Sequence, residues 1–193
     1  MAPLLLIPVA LLFSPAAQAH HLLSLLHLTP SPLAGFLSGL AHPVLGPDHL
    51  LFLLALSLVG LRHRTSWMLG LLATGLCGSA LGLVMPGLPG AEALVSFTLV
   101  LMALVLMGRL PLLVLIPAFA LHGYVLSASV LGWTTMPIAF YLIGLMLAQG
   151  GLLLLSLTVL RRLGARLTAP VQQLLAAALI GCGGAWTWSA LVG

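Results

Sequence analysis

Apolar residues run along this chain in long blocks rather than in alternation, and six of the blocks are long enough to cross a bilayer as helices. They extend from Leu33 to Leu61, Trp67 to Met85, Glu92 to Gly108, Leu110 to Val130, Met136 to Leu160 and Pro170 to Val192. A spanning helix needs roughly 20 mostly apolar residues, and none of these blocks shows the two-residue period of a half-buried strand. Polar and helix-breaking residues separate them: Arg62-His63-Arg64, Pro86-Gly87-Leu88-Pro89-Gly90, Arg109 with Pro111, Trp133-Thr134-Thr135, and Arg161-Arg162 with Arg166. Glycines recur inside the blocks, as at Gly70, Gly75, Gly78 and Gly82, and again at Gly181, Gly183 and Gly184. Small residues of this kind let membrane helices approach closely where no hydrophobic force drives them together.

A shorter apolar block, Leu4 to Phe13, precedes these and is followed by Ser14-Pro15-Ala16-Ala17-Gln18-Ala19. About ten apolar residues are too few to span, and Ala17 and Ala19 fit the small-x-small cleavage rule. The expectation is a signal peptide over residues 1–19, cleaved before His20, although its n-region carries no lysine or arginine. An uncleaved first segment is the alternative. Residues 20–193 then form one domain, an all-α polytopic bundle of six transmembrane helices with the first broken between His42 and Asp48.

Composition agrees with that class. Hydrophobic residues are 62% of the chain and charged residues 4%, with a mean hydropathy of +1.27, whereas a soluble domain is nearer a quarter charged. The sequence pI near 10.1 reflects a few arginines against only two acids, Asp48 and Glu92; with no basic patch and few aromatics, nucleic-acid binding is excluded. Cys77 and Cys182 lie in apolar blocks, form no CxxC motif and read as helix-packing residues. If the mature N-terminus lies outside, all the arginines fall in cytoplasmic loops and none outside, as the positive-inside rule requires. Both mature termini are then periplasmic, and the membrane is a bacterial inner membrane.

That orientation places the unusual polar residues at one depth. The stretch Gly39-Leu40-Ala41-His42-Pro43-Val44-Leu45-Gly46-Pro47-Asp48-His49 sits in the outer part of the first segment, and Glu92 opens the third at its outer end. His122 lies roughly 18 Å from the Arg109 side at 1.5 Å per residue. Ionisable groups at membrane depth are costly and mark working sites with partners. On an unbroken helix His42 and His49 would stand roughly 10 Å apart. Pro43, Gly46 and Pro47 break the ladder and allow His42 to fold back towards Asp48 and His49. Imidazoles with carboxylates suit nickel, copper, zinc or iron. Asp48 with His49 equally suits a proton relay, Glu92 a helix cap, and His122 a packing hydrogen bond. His63 reads as a solvated loop residue. His20, His21 and His27, with the new terminal amine, are candidates for capturing metal outside. Tyr141 and Gln149 are candidate supporting donors.

The run from Gly35 to Leu51, with its His-Pro-x-x-Gly-x-Asp-His pattern, resembles the signature of the HupE/UreJ family. Pro89-Gly90-Ala91-Glu92 and His122-Gly123-Tyr124 follow in the family's order. The resemblance implies a six-helix inner-membrane protein associated with nickel-dependent hydrogenase or urease, and a nickel or cobalt permease. It also implies metal contacts at His42, Asp48, His49, Glu92 and His122. This chain departs from the pattern where members continue His-Gly-Tyr with a second histidine and an acid, having Val125, Leu126 and Ser127 instead. It also has Leu152 and Leu153 where many members have a histidine.

The expected function is secondary uptake of a divalent metal, Ni2+ before Co2+, with the ion and the bilayer as partners and no enzymatic activity. No phosphate-binding Gly-x-x-x-x-Gly-Lys sequence is present. A non-transporting metal-binding accessory or sensor is the first alternative. An intramembrane metal hydrolase is the second, although none of Ser38, Ser57, Ser79, Ser96 and Ser127 lies in a nucleophile motif.

Overall fold

The computed structural model describes residues 29–163 and 167–192, which are helices and connecting turns with no strand among them. The expected signal peptide, His20, His21, His27 and Arg166 lie outside the described residues.

The first apolar block forms two helices, α1 (Pro32–Leu45) and α2 (Pro47–Gly60), bent by 72° at Gly46. Ser31 opens α1 by accepting the Ala34 amide at 3.1 Å, and Pro32 occupies the first turn, where a missing N–H costs nothing. Pro43 is carried inside α1, so the break falls at the residue before Pro47, where proline disfavours the helical conformation; Gly46 has φ −81° and ψ 107°. Then follow α3 (Thr65–Val84), α4 (Ala91–Leu106), α5 (Leu115–Leu126), α6 (Thr135–Arg162) and α7 (Ala169–Val192). Short 3-10 turns, Leu112–Val114 and Ser127–Val130, extend α5 at each end.

By length and composition, α3, the Leu112–Val130 unit, α6 and α7 are each able to cross a membrane, and the bent α1–α2 pair makes a fifth crossing if taken as one span. The remaining expected segment, α4, is a shorter apolar helix of 16 residues. It is flanked by Gly90 at φ +68° before its first turn and Gly108 at φ +71° after its last, left-handed positions that glycine adopts without strain.

Three closely packed helix pairs make up the bundle: α1 with α6, α3 with α5, and α4 with α7. Each is closed by glycine against backbone. A Cβ on Gly39 of α1 would lie 2.7 Å from the Leu145 amide of α6, and one on Gly123 of α5 would run into the Gly75 carbonyl of α3. A Cβ on Gly183 of α7 would stand 2.9 Å from the Ser96 carbonyl of α4. Between the pairs runs α2, packed on α6 and α4. Its Ser57 hydroxyl lies 2.6 Å from that of Ser156 on α6. The core around it is Phe52, Leu56, Met68, Leu99, Met102 and Phe119.

Large apolar side chains such as Leu155, Leu174 and Trp188 face outward, while His42, Asp48, Ser96 and Gln149 are buried. This is the polarity expected of a protein in lipid. Cys182 is half-buried, but Cys77 lies on the exposed face of α3 and takes no part in the packing expected of it. The described arginines gather at one end: Arg62 reaches Gln172 at the start of α7, Arg161 reaches Thr65, and Arg64 shares a cavity with Leu112 and Leu113 just after Arg109. His63 is exposed there, as a solvated loop residue should be. Glu92, the Pro86–Gly90 loop and Ala190 lie together at the opposite end.

Candidate metal centre

The break at Gly46 decides the site. Asp48 and His49 fall in the first turn of α2, and His42 in the last turn of α1. The bend brings the His42 and His49 rings to 5.9 Å between centroids, edge to face, in place of the roughly 10 Å an unbroken helix would impose. Counted along the helices, the break is about 21 Å from Pro32 and about 21 Å from Gly60, midway along the bent pair.

All four residues are sealed from solvent. His42 is 0% exposed, Asp48 and His122 1%, and His49 2%. Asp48 Oδ1 accepts the backbone N–H of His49 at 2.9 Å, in the helix first turn where a negative charge is favoured. Its other oxygen, Oδ2, is buried with no hydrogen-bond partner among the described residues. A buried carboxylate oxygen in this condition costs stability and suits a cation.

His122 enters from α5, whose position is set by the backbone contact of Gly123 with Gly75. Its Nδ1 is 2.8 Å from Nδ1 of His49, and its Nε2 is 2.6 Å from the hydroxyl of Thr98 on α4. Phe52 of α2 lies over the same ring at 4.0 Å between centroids. His122 is therefore fixed on three sides. On the far flank, His42 Nδ1 meets the Tyr141 hydroxyl of α6 at 3.1 Å and the Ser129 hydroxyl at 3.3 Å. The Ser127–Val130 turn carries Ser129 into that position.

Of the five residues expected to touch metal, the structure thus brings His42, Asp48, His49 and His122 into one layer. Glu92 stands in the first turn of α4, about 9 Å along the helix from Thr98, lining a cavity of about 480 Å³ with Tyr124, Ser127 and the Pro86–Gly90 loop. No three His, Cys, Asp or Glu side chains among the described residues are already gathered as a metal-holding group. What is built is a hydrogen-bonded histidine chain beside a carboxylate. Tyr141 was legible as a supporting donor; Thr98 and Ser129 were not, since a hydroxyl in an apolar helix carries no sign of which neighbour it faces. Gln149, the other expected donor, is buried on α6 with its amide oxygen unpartnered among the described residues.

Compared with known proteins, residues 8–186 match the model of a family described as HupE / UreJ protein. No curated protein and no solved structure matches the chain.

Proposed function

Because the chain belongs to the HupE/UreJ family, we propose that it carries Ni2+ inward across a bacterial inner membrane. The family is associated with nickel and cobalt uptake for hydrogenase and urease, and is a transporter or accessory family rather than an enzyme family. One observation carries the step to transport: Asp48, the only buried acid among the described residues, sits at a helix break between two histidines. Broken helices at the midplane are how transporters build ion sites, and irregular backbone is tolerated there only where it is buried in protein or lines a cavity.

In this reading six segments cross the membrane, with α4 spanning alongside the longer α7, and the arginine end faces the cytoplasm. Glu92 at the opposite end attracts the partly hydrated cation into the outer cavity. His42, Asp48 and His49 then replace part of its water, and Asp48 offsets part of its charge. Release follows a change in the α1–α2 bend.

The direct test is uptake of radiolabelled nickel by cells expressing His49→Ala at the wild-type membrane level. Loss of uptake is expected, and undiminished uptake would sink the reading. Nickel bound by the purified protein without flux in proteoliposomes would replace transport by storage or sensing.

A further inference from the structure

The hydroxyls and carbonyls hydrogen-bonded around the histidine nitrogens favour one placement of their protons. A hydroxyl has a single hydrogen, and a backbone carbonyl can only accept. The Thr98 hydroxyl donates to the Val95 carbonyl at 2.6 Å, so towards His122 Nε2, also at 2.6 Å, it is an acceptor. His122 in its neutral form therefore carries its proton on Nε2, and its Nδ1 bears the lone pair. That lone pair lies 2.8 Å from His49 Nδ1, which must supply the hydrogen. His49 is then protonated at Nδ1, and its lone pair is on Nε2.

The same count applies independently to His42. The Tyr141 hydroxyl donates to the Leu126 carbonyl at 2.5 Å, and the Ser129 hydroxyl donates to the same oxygen at 3.2 Å. Both therefore accept from His42 Nδ1, at 3.1 and 3.3 Å. His42 carries its proton on Nδ1 and its lone pair on Nε2.

We propose that Thr98 with His122, and Tyr141 with Ser129, are positioning residues that set the tautomers of His49 and His42, so that both present Nε2 as the metal-binding nitrogen. His122 thereby acts through His49 rather than as a metal ligand itself. This assignment rests on the proposed metal role of His42 and His49, and it changes the expected role of His122. An imidazole binds metal only through its unprotonated nitrogen, and the hydrogen bond made by the other nitrogen chooses which one that is. Phe52 packs over the His122 ring at 4.0 Å between centroids and helps hold it in place.

The test uses the full chain labelled with 15N-histidine, purified without metal, with nitrogen resonances assigned by single substitutions. In the wild type, His42 and His49 are expected to be pyridine-like at Nε2, and His122 at Nδ1. Thr98→Val keeps the side-chain shape and removes the acceptor; His49 is then expected to populate both tautomers while His42 keeps one. Ni2+ affinity, titrated with nickel chloride alone, should fall about 10- to 100-fold, the usual loss when a group behind a metal ligand is removed. Thr98→Ser should restore both readouts. Tyr141→Phe is the second variant and should disturb His42 while sparing His49. A wild-type His49 protonated at Nε2, or a Thr98→Val protein with unchanged tautomer and affinity, overturns the assignment. Expected tautomers in a protein that moves no nickel leave it standing and remove the transport reading instead.

Discussion

Substituting Gly46 by alanine tests whether the geometry of the break, rather than its mere presence, forms the site. The backbone at Gly46 has φ −81° and ψ 107°, which any L residue adopts, so a side chain adds no conformational strain. Its Cβ, however, would lie 2.7 Å from Cδ2 of His49, 3.3 Å from Oδ1 of Asp48 and 3.4 Å from the His42 carbonyl. Carbon atoms pack at about 3.5–4.0 Å, so the His49 ring must move by about 1 Å. It is held on its other side by the 2.8 Å contact with His122, and the shift strains or breaks that hydrogen bond. Overpacking of this kind costs about 1–3 kcal/mol, which, if borne by the binding arrangement, is a loss of about 5- to 150-fold in affinity. Calorimetric titration of Ni2+ into the purified variant measures it, with size exclusion confirming the fold. Gly70→Ala is the control: nothing lies within 4 Å of a Cβ there, so affinity should not change. Equal affinities for wild type and Gly46→Ala would refute the claim that the His49 ring position is fixed by the break.

Asp48→Asn retains the acceptor for the His49 amide but removes a charge from mid-depth; the metal-free protein should melt higher while nickel affinity falls by about tenfold or more. A lower melting temperature with intact affinity would contradict this. Tyr124→Phe removes a hydroxyl that donates to the Met85 carbonyl at 2.7 Å and accepts the Leu88 amide at 2.9 Å. Hydrogen exchange at Leu88 should quicken, at a cost of about 1–3 kcal/mol for the two bonds, with the histidine tautomers unmoved. Gly123→Ala forces α5 away from the Gly75 carbonyl and should shorten the half-life in detergent; an unaltered half-life would show that the α3–α5 contact is looser than described.

The parts of this site that were legible in the sequence are those that depend on local rules. Pro47 disfavours helix at the residue before it, so the break and the approach of His42 to His49 follow from the chain alone. The position of the break was less legible, because Pro43 also suggested one and is instead accommodated within α1. Segment positions were readable from hydropathy, the shortness of α4 included, since the apolar block from Glu92 to Gly108 is already brief and Gly90 and Gly108 flank it in left-handed conformations. Thr98, Ser129 and Phe52 lay beyond reach for a further reason. Their roles exist only once α4, the Ser127–Val130 turn and α2 are packed around two rings, and one sequence does not reveal which helices meet.

The departures from the family pattern acquire a physical meaning in this arrangement. Val125, Leu126 and Ser127 stand where a second histidine and an acid are common, and the backbone carbonyl of residue 126 receives the Tyr141 and Ser129 hydroxyls. The side chains at these positions add no metal donor, while the backbone there supports the hydroxyls beside His42. On the transport reading, the ion then meets two imidazole nitrogens and one carboxylate at mid-depth and retains water for its remaining positions. Binding that is strong enough to admit an ion but incomplete enough to release it is what passage requires. A reduced donor set therefore argues for faster release, and restoring a donor in this layer should raise nickel affinity while lowering flux. If added donors raised both together, binding rather than release would limit uptake, and the broken helix would be a site for capture alone.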